Sequence, residues 1–127
     1  MVDAKRVLVV DDADLMRRYY RQILETAGYT VDEALNGIEA MEKLLENAPD
    51  LLIVDINMPQ MDGMTFLDML RRQPLPHGGI PALVTTTEAK VRDRNAARKA
   101  GANFYLTKPV GKQSLVDHVA LLCGGPA

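Results

Sequence analysis

The 127-residue chain has one cysteine, Cys123, which excludes an intramolecular disulfide and any metal site built from cysteines. It has no long apolar run either. The longest uninterrupted one is Val119–Cys123, far below the ~18 residues of a spanning helix. The opening residues reach only a short apolar run before Asp11-Asp12, so no secretory signal is expected. A cytoplasmic protein without membrane insertion follows as the expectation. There is no basic excess: net charge is −2, against what direct DNA binding usually requires. Internal repeats and low-complexity tracts are missing as well. What is present is ordinary for a globular fold, with 47% hydrophobic and 25% charged residues. The length suits one domain, by the prior of ~100–200 residues each. His77 and His118 have no metal-binding partner in sequence, and Cys123 reads as a packing residue.

Charge is unevenly placed. Residues 1–87 carry 8 Lys/Arg against 14 Asp/Glu, whereas residues 88–127 carry 7 against 3. Hydrophobic patterning alternates between two periods. Strands are predicted at Arg6–Val10, Thr30–Ala34, Leu51–Val54, Pro81–Thr86 and Asn103–Thr107. Between them, helical spacing predicts helices over 14–27, behind Asn36, from about Met64 to Arg72, over Glu88–Ala100 and over 112–123. Leu15, Met16, Tyr19, Ile23, Leu24 and Ala27 form the expected apolar stripe of the first helix. Ile38, Met41, Leu44 and Leu45 form that of the second, with Asn36 and Glu39 as a capping pair. Gly28 and Gly101 stand where helix C-termini favour a left-handed residue. The LLIV run of the third strand is apolar on both faces, as in a parallel sheet covered on both sides. Serial βα units thus imply an α/β fold with right-handed crossovers.

In such sheets the functional crevice lies beyond the carboxyl ends of the strands. The first strand ends in Asp11-Asp12, the third in Asp55, the fourth in Thr85-Thr86-Thr87 and the fifth in Lys108-Pro109. One such Asp would read as a cap for the next helix. Several on two neighbouring strands cannot all stay ionised without a cation. An all-oxygen cluster suits Mg²⁺. A carboxylate beside a divalent cation, a lysine and a hydroxyl can accept a phosphoryl group.

At this point the motifs VLVVDDADLMRR, VDINMPQMDG, TTTEAK and YLTKP, in this order and spacing, resemble a response-regulator receiver domain, in particular the single-domain chemotaxis (CheY-like) type. The likeness runs from about Arg6 to Leu122. It implies a flavodoxin-like, doubly wound sheet of five strands in the order 2-1-3-4-5 with five helices. It implies two-component signalling, in which a histidine kinase or phosphotransfer domain phosphorylates Asp55 in a Mg²⁺-dependent reaction. Asp12 and Asp55 would hold the ion directly, Asp11 mostly through water, and the Asn57 carbonyl would add a ligand. Lys108 would pair with Asp55 and then with the phosphoryl oxygens. Thr86 and Tyr105 would be the switch pair, Pro109 would follow a cis peptide, and Asn57 and Glu88 would tune dephosphorylation. No enzymatic turnover beyond self-phosphorylation and self-dephosphorylation is implied.

The receiver would span residues 1–123, with 124–127 a short flexible tail that leaves no room for an output domain. The protein would stand alone or be a receiver cut from a longer chain. Its downstream partner would meet the face of the fourth helix, fifth strand and last helix. Lys90, Arg92, Arg94, Arg98 and Lys99 make that region basic, so an acidic partner is expected. Val110, where an aromatic often follows Lys-Pro in the family, leaves the particular partner open. Three other readings share parts of the pattern. A flavodoxin-like FMN carrier would place its phosphate where Asp11-Asp12 would repel it. A haloacid-dehalogenase-type phosphatase would carry a second Asp where Asn57 stands. A structural module with a degenerate pocket is at odds with the intact set of Asp12, Asp55 and Lys108.

Overall fold

The protein, seen in a computed structural model, is described over residues 4–58, 61–87 and 90–126, with Val91 by its backbone only. Its strands are β1 (Arg6–Val10), β2 (Thr30–Ala34), β3 (Leu51–Asp55), β4 (Ala82–Thr86) and β5 (Phe104–Thr107). The helices are α1 (Asp14–Thr26), α2 (Gly37–Glu46), α3 (Gly63–Arg71), α4 (Val91–Ala100) and α5 (Lys112–Cys123). All five strands pair in parallel in the order β2-β1-β3-β4-β5. This is the doubly wound fold expected. The chain moves from β1 outward to β2 and then back past β1 to β3, so the direction of winding reverses between β1 and β3. A crevice opens at such a reversal, at the carboxyl ends of the strands.

Two cores follow from the two-faced sheet. Alternate strand residues Val7, Val9, Leu51, Ile53 and Leu83 pack with Tyr20, Ile23 and Leu24 of α1 and with Leu115 and Val119 of α5. The other set, Leu8, Val10, Leu52, Val54 and Val84, packs with Ala40 and Leu44 of α2 and Phe66, Leu67 and Leu70 of α3. β3 is buried at every residue, as its apolar run predicted. Trimming one of these buried leucines to Ala costs about 2–5 kcal/mol, since the cavity does not fully collapse.

Local signals act as read. Asn36 caps α2 by accepting the Glu39 amide at 2.9 Å. Asp62 caps α3 by accepting that of Thr65 at 2.8 Å, so α3 begins at Gly63 rather than Met64. Gly28 and Gly101 adopt φ of 103° and 114°. The Lys108–Pro109 peptide is cis, and so is Leu75–Pro76. Residues of the tail are placed: Lys5 N–H donates to Pro126 O at 2.7 Å and the Tyr29 hydroxyl to Gly124 O at 2.9 Å. No helix among the described residues is long and apolar enough to cross a membrane.

Two apolar stripes differ from expectation. In α1, Leu15 is 78% and Tyr19 39% exposed, and the buried line is Arg17, Tyr20, Ile23 and Leu24. Tyr20, Ile23 and Leu24 pack this line onto the sheet, and Arg17 tolerates burial on it because its guanidinium finds three acceptors. In α2, Ile38 and Leu45 are exposed and the buried line is Gly37, Ala40 and Leu44. A short helix lying on one sheet face buries only one such line, and small residues here let the backbone come close. α4 begins at Val91, and the expected start at Glu88 lies outside the described residues.

Candidate functional site

Strand ends bring the acidic residues together. Asp11 follows β1, Asp55 closes β3, and one carboxylate oxygen from each of Asp11, Asp12 and Asp55 lies within 4.8 Å of the others. Asp11 and Asp55 are buried at 1% and 5% exposure, whereas Asp12 is open to solvent. Lys108, just beyond β5, spans the buried pair: its Nζ lies 3.2 Å from Asp11 Oδ2 and 3.1 Å from Asp55 Oδ1. The sequence placed Lys108 at Asp55; the bond to Asp11 is additional.

The backbone fixes each group. Asp11 N–H donates to Ala34 O at 3.1 Å, and the Asp11 carboxylate accepts the Ala13 amide at 2.9 Å. Arg17 Nη1 donates to the Asp11 carbonyl at 2.7 Å. After Asp55, Ile56 N–H donates to Thr85 O at 3.1 Å, and Gly63 N–H to Ile56 O at 2.9 Å. A Cβ at Gly63 would run into the Asp55 carbonyl oxygen, so this turn needs the missing side chain. Lys108 N–H donates to Thr86 O at 2.6 Å, which ties the lysine to the end of β4.

Burial raises the Asp55 pKa from its ordinary value; Asp11 raises it further, and Lys108 and the Asn57 amide oppose the shift. Burial alone would lower that of Lys108, but Asp11 and Asp55 outweigh it and the net shift is upward. The lysine is therefore protonated across the physiological range. Among the described residues, the Lys108 ammonium is the one side-chain cation paired with this cluster of three carboxylates. All-oxygen donors, two of them buried and one open to water, fit a hard divalent cation that retains waters.

The remaining predicted residues group as follows. Asn57 is exposed, with its N–H turned back to the Asp55 carboxylate. Thr86 is wholly buried at the end of β4, and Tyr105 of β5 is half-buried with the Arg94 guanidinium 5.9 Å from its ring centroid. Asp55 pairs in register with Thr85, not Thr86. Side chains alternate along a strand, so Thr85 shares the face of Asp55 and Thr86 points to the other face. Glu88 lies outside the described residues. Two openings are present, one beside the site and one on the face of α4 and β5. A groove of about 830 Å³ beside Lys108 is lined by Leu15, Met16, Tyr19, Pro109 and Val110 among others. A second, of about 440 Å³, lies between Arg94, Arg98, Asn103, Phe104 and Tyr105.

Sequence reasoning missed the burial of Arg17 and Tyr20 beside the site, and it placed Thr85 at the strand end without its pairing to Asp55. The i, i+3, i+7 line 17-20-24 was readable as a helix face, but a charged residue on it argued against burial.

Comparison with known proteins agrees with this geometry. A family model described as response regulator receiver domain matches residues 7–120, and the chain belongs to that family, whose members are modules of two-component signalling. It is 38% identical to the chemotaxis protein CheY of Halobacterium salinarum over 117 residues, 92% of this chain and 95% of that protein. It is 46% identical to a protein-glutamate methylesterase/protein-glutamine glutaminase of Archaeoglobus fulgidus over 114 residues, 88% of this chain but 31% of that protein. A crystal structure of a putative response regulator from Chloroflexus aurantiacus superposes with a TM-score of 0.90 at 36% identity, covering 95% and 98% of the two chains. The chain spans about a third of the length of the methylesterase and about half that of a mycobacterial response regulator it also matches. Family membership favours the receiver over the flavin carrier and the phosphatase.

Proposed function

We propose that Asp55 is the phosphoacceptor of a receiver that changes its binding face when phosphorylated. The observation that carries this reading is the Lys108 ammonium held between Asp11 and Asp55, with Asp12 open beside them. An Asp55 oxygen forms a bond to the donor's phosphorus as the donor's P–N bond (phosphohistidine) or P–O bond (acyl phosphate) breaks. The electron pair leaves with the imidazole or carboxylate. Asp12 and Asp55 would hold Mg²⁺ directly, Asp11 largely through water, and the Asn57 carbonyl would add a ligand; the chemistry such an ion would supply is neutralisation of phosphoryl oxygens. Lys108 passes from the carboxylates to a phosphoryl oxygen. Thr86 then moves toward the phosphoryl group and Tyr105 follows it. Asn57 and Glu88, by the family likeness, tune how fast water later removes the group, and turnover is confined to the protein itself.

The donor is a histidine kinase or phosphotransfer domain, and the apolar groove beside Lys108 gives such a protein a surface at the site's mouth. The downstream partner binds the face of α4, β5 and α5. The likeness to CheY supports chemotaxis as the pathway. The slightly acidic overall charge supports action without direct DNA contact, and a cytoplasmic location goes with that reading. The test is incubation with Mg²⁺ and acetyl phosphate followed by intact mass measurement. One phosphoryl adduct is expected on the native chain and none on Asp55→Asn; an undiminished adduct on that variant overturns the assignment.

A further inference from the structure

Beneath the carboxylates lie two hydroxyls that the reading above leaves unused. Tyr20 of α1 and Thr85 of β4 are each 0% exposed, and neither Tyr20 Oη nor Thr85 Oγ1 has a hydrogen-bond partner among the described residues. Leaving a buried hydroxyl unsatisfied is costly, whereas Phe and Val would fill the same two places without that cost. Their position is specific. Thr85 lies beside Asp55 in the β3–β4 register, on the same face of the sheet. Tyr20 packs in one core with Leu83 of β4, Leu106 of β5 and Val110, which bracket Thr85 and Lys108 in the chain; its hydroxyl faces the Thr85 side chain outside the geometry of a formed hydrogen bond, and the charges of Lys108, Asp11 and Asp55 act on it. Burial pushes the Tyr20 phenol up to about 12, so it remains protonated and can both donate and accept.

Hydrogen-bond accounting connects these groups. A lysine ammonium carries three donors, and the Lys108 bonds given above go to Asp11 and Asp55. Its third hydrogen can go to Tyr20 Oη. The Tyr20 O–H then donates to Thr85 Oγ1, and the Thr85 O–H to the neighbouring Asp55 carboxylate. Neither hydroxyl is bonded at the positions seen, so the chain forms by a small shift of these side chains; once formed it satisfies both buried hydroxyls and keeps a partner on the ammonium while its carboxylates are engaged elsewhere. We propose that Tyr20 is a positioning residue for phosphoryl transfer: with Thr85 it forms a polar floor that holds Lys108 at Asp55 as the ammonium passes to the incoming phosphoryl oxygens. This rests on the phosphoacceptor reading of Asp55.

The test uses the full chain and the variants Tyr20→Phe, Lys108→Met and the two combined. One readout needs neither metal nor phosphorylation. The Lys108 15Nζ resonance is compared between native protein and Tyr20→Phe, and the Tyr20 13Cζ resonance between native protein and Lys108→Met, with Tyr29 as a distant reference. Each is expected to shift when the other side chain is altered while Tyr29 stays in place; if neither shifts, the proposal is overturned. The second readout is the rate of Asp55 phosphorylation by acetyl phosphate in Mg²⁺. Tyr20→Phe is expected to slow it roughly tenfold in the native background and less than about twofold in Lys108→Met, the effect of one charge-assisted hydrogen bond lost. An equal slowing in both backgrounds, or none in the native one, overturns the role. Where Lys108→Met takes up too little phosphoryl group to time, the resonances decide. If native Asp55 accepts no phosphoryl group, the phosphoacceptor reading falls and this role with it, an outcome told apart because the resonance shifts persist.

Discussion

A buried arginine near a carboxylate cluster would ordinarily neutralise it, but the Arg17 guanidinium is engaged elsewhere. Its Nε lies 3.0 Å from Glu33, its Nη2 3.0 Å from Asp14, and its Nη1 bonds the Asp11 backbone carbonyl rather than the carboxylate. Arg17 therefore fixes where Asp11 sits and leaves Lys108 as the cation on the carboxylates. At the same scale, Asn57 is exposed two residues beyond Asp55, with its amide turned to the Asp55 carboxylate. Its side chain is polar and able to orient a water at the phosphoryl group. We predict that Asn57→Leu slows loss of the phosphoryl group by up to roughly tenfold, as one water-orienting hydrogen bond is lost. The measurement is decay of the adduct by intact mass after donor removal, and equal decay in native and variant protein counts against the role.

At the scale of elements, the face of α4, β5 and α5 combines charge with aromatic surface. Arg94 and Arg98 of α4 border the same opening as Phe104 and Tyr105 of β5, and Phe104 packs 4.5 Å, centroid to centroid, from His118 of α5. Movement of Thr86 and Tyr105 would reshape this face, and a partner shifts the equilibrium only by its differential affinity for the two states. Charge reversal at Arg94 and Arg98 is predicted to weaken binding of an acidic partner to the phosphorylated protein and to flatten its salt dependence, since exposed charges are screened beyond ~8–10 Å. Unchanged affinity and salt slope in a titration would remove this face as the electrostatic docking surface. Elements also show what the sequence disclosed. The β-branched runs, the all-apolar third strand and the glycine at Gly101 marked the sheet and its crossovers, and the strand-end rule then gathered Asp11, Asp12, Asp55 and Lys108 without knowledge of any contact. The face of α1 was misread for a physical reason. Leu15 and Tyr19 are apolar yet line the groove beside Lys108, while Arg17 is charged yet buried because three acceptors meet it. Hydrophobic periodicity ranks residues by polarity and has no means to foresee a satisfied buried cation or an apolar surface kept open.

For the whole molecule, the consequence is a site that opposes the fold it sits in. The Asp55 pKa is raised, first by burial and then by Asp11, so its ionisation costs stability. That cost is absent below the unfolded value of about 3.9, where both states are protonated, and complete above the raised folded value. Lys108 works in the other sense: its raised pKa adds stability that is complete below about 10.4 and is lost as pH rises through the folded value. Where Asp55 is ionised, the Lys108 ammonium faces a cluster of three carboxylates. A divalent cation that binds only the folded chain relieves the excess. At 100 times its dissociation constant it adds about 2.7 kcal/mol. For a chain of this size that corresponds to a rise in Tm of roughly 5–15 °C. We therefore predict that Mg²⁺ raises the Tm at about pH 7.5, that EDTA reverses the rise, and that the rise shrinks toward about pH 4, where protons compete for the carboxylates. Asp12→Ala, which removes the solvent-open ligand without disturbing the buried pair, should lose most of the rise. Calorimetric scans of both proteins with and without Mg²⁺ decide the matter: a Tm that Mg²⁺ leaves unmoved, or moves equally in Asp12→Ala, excludes this cluster as the ion's site.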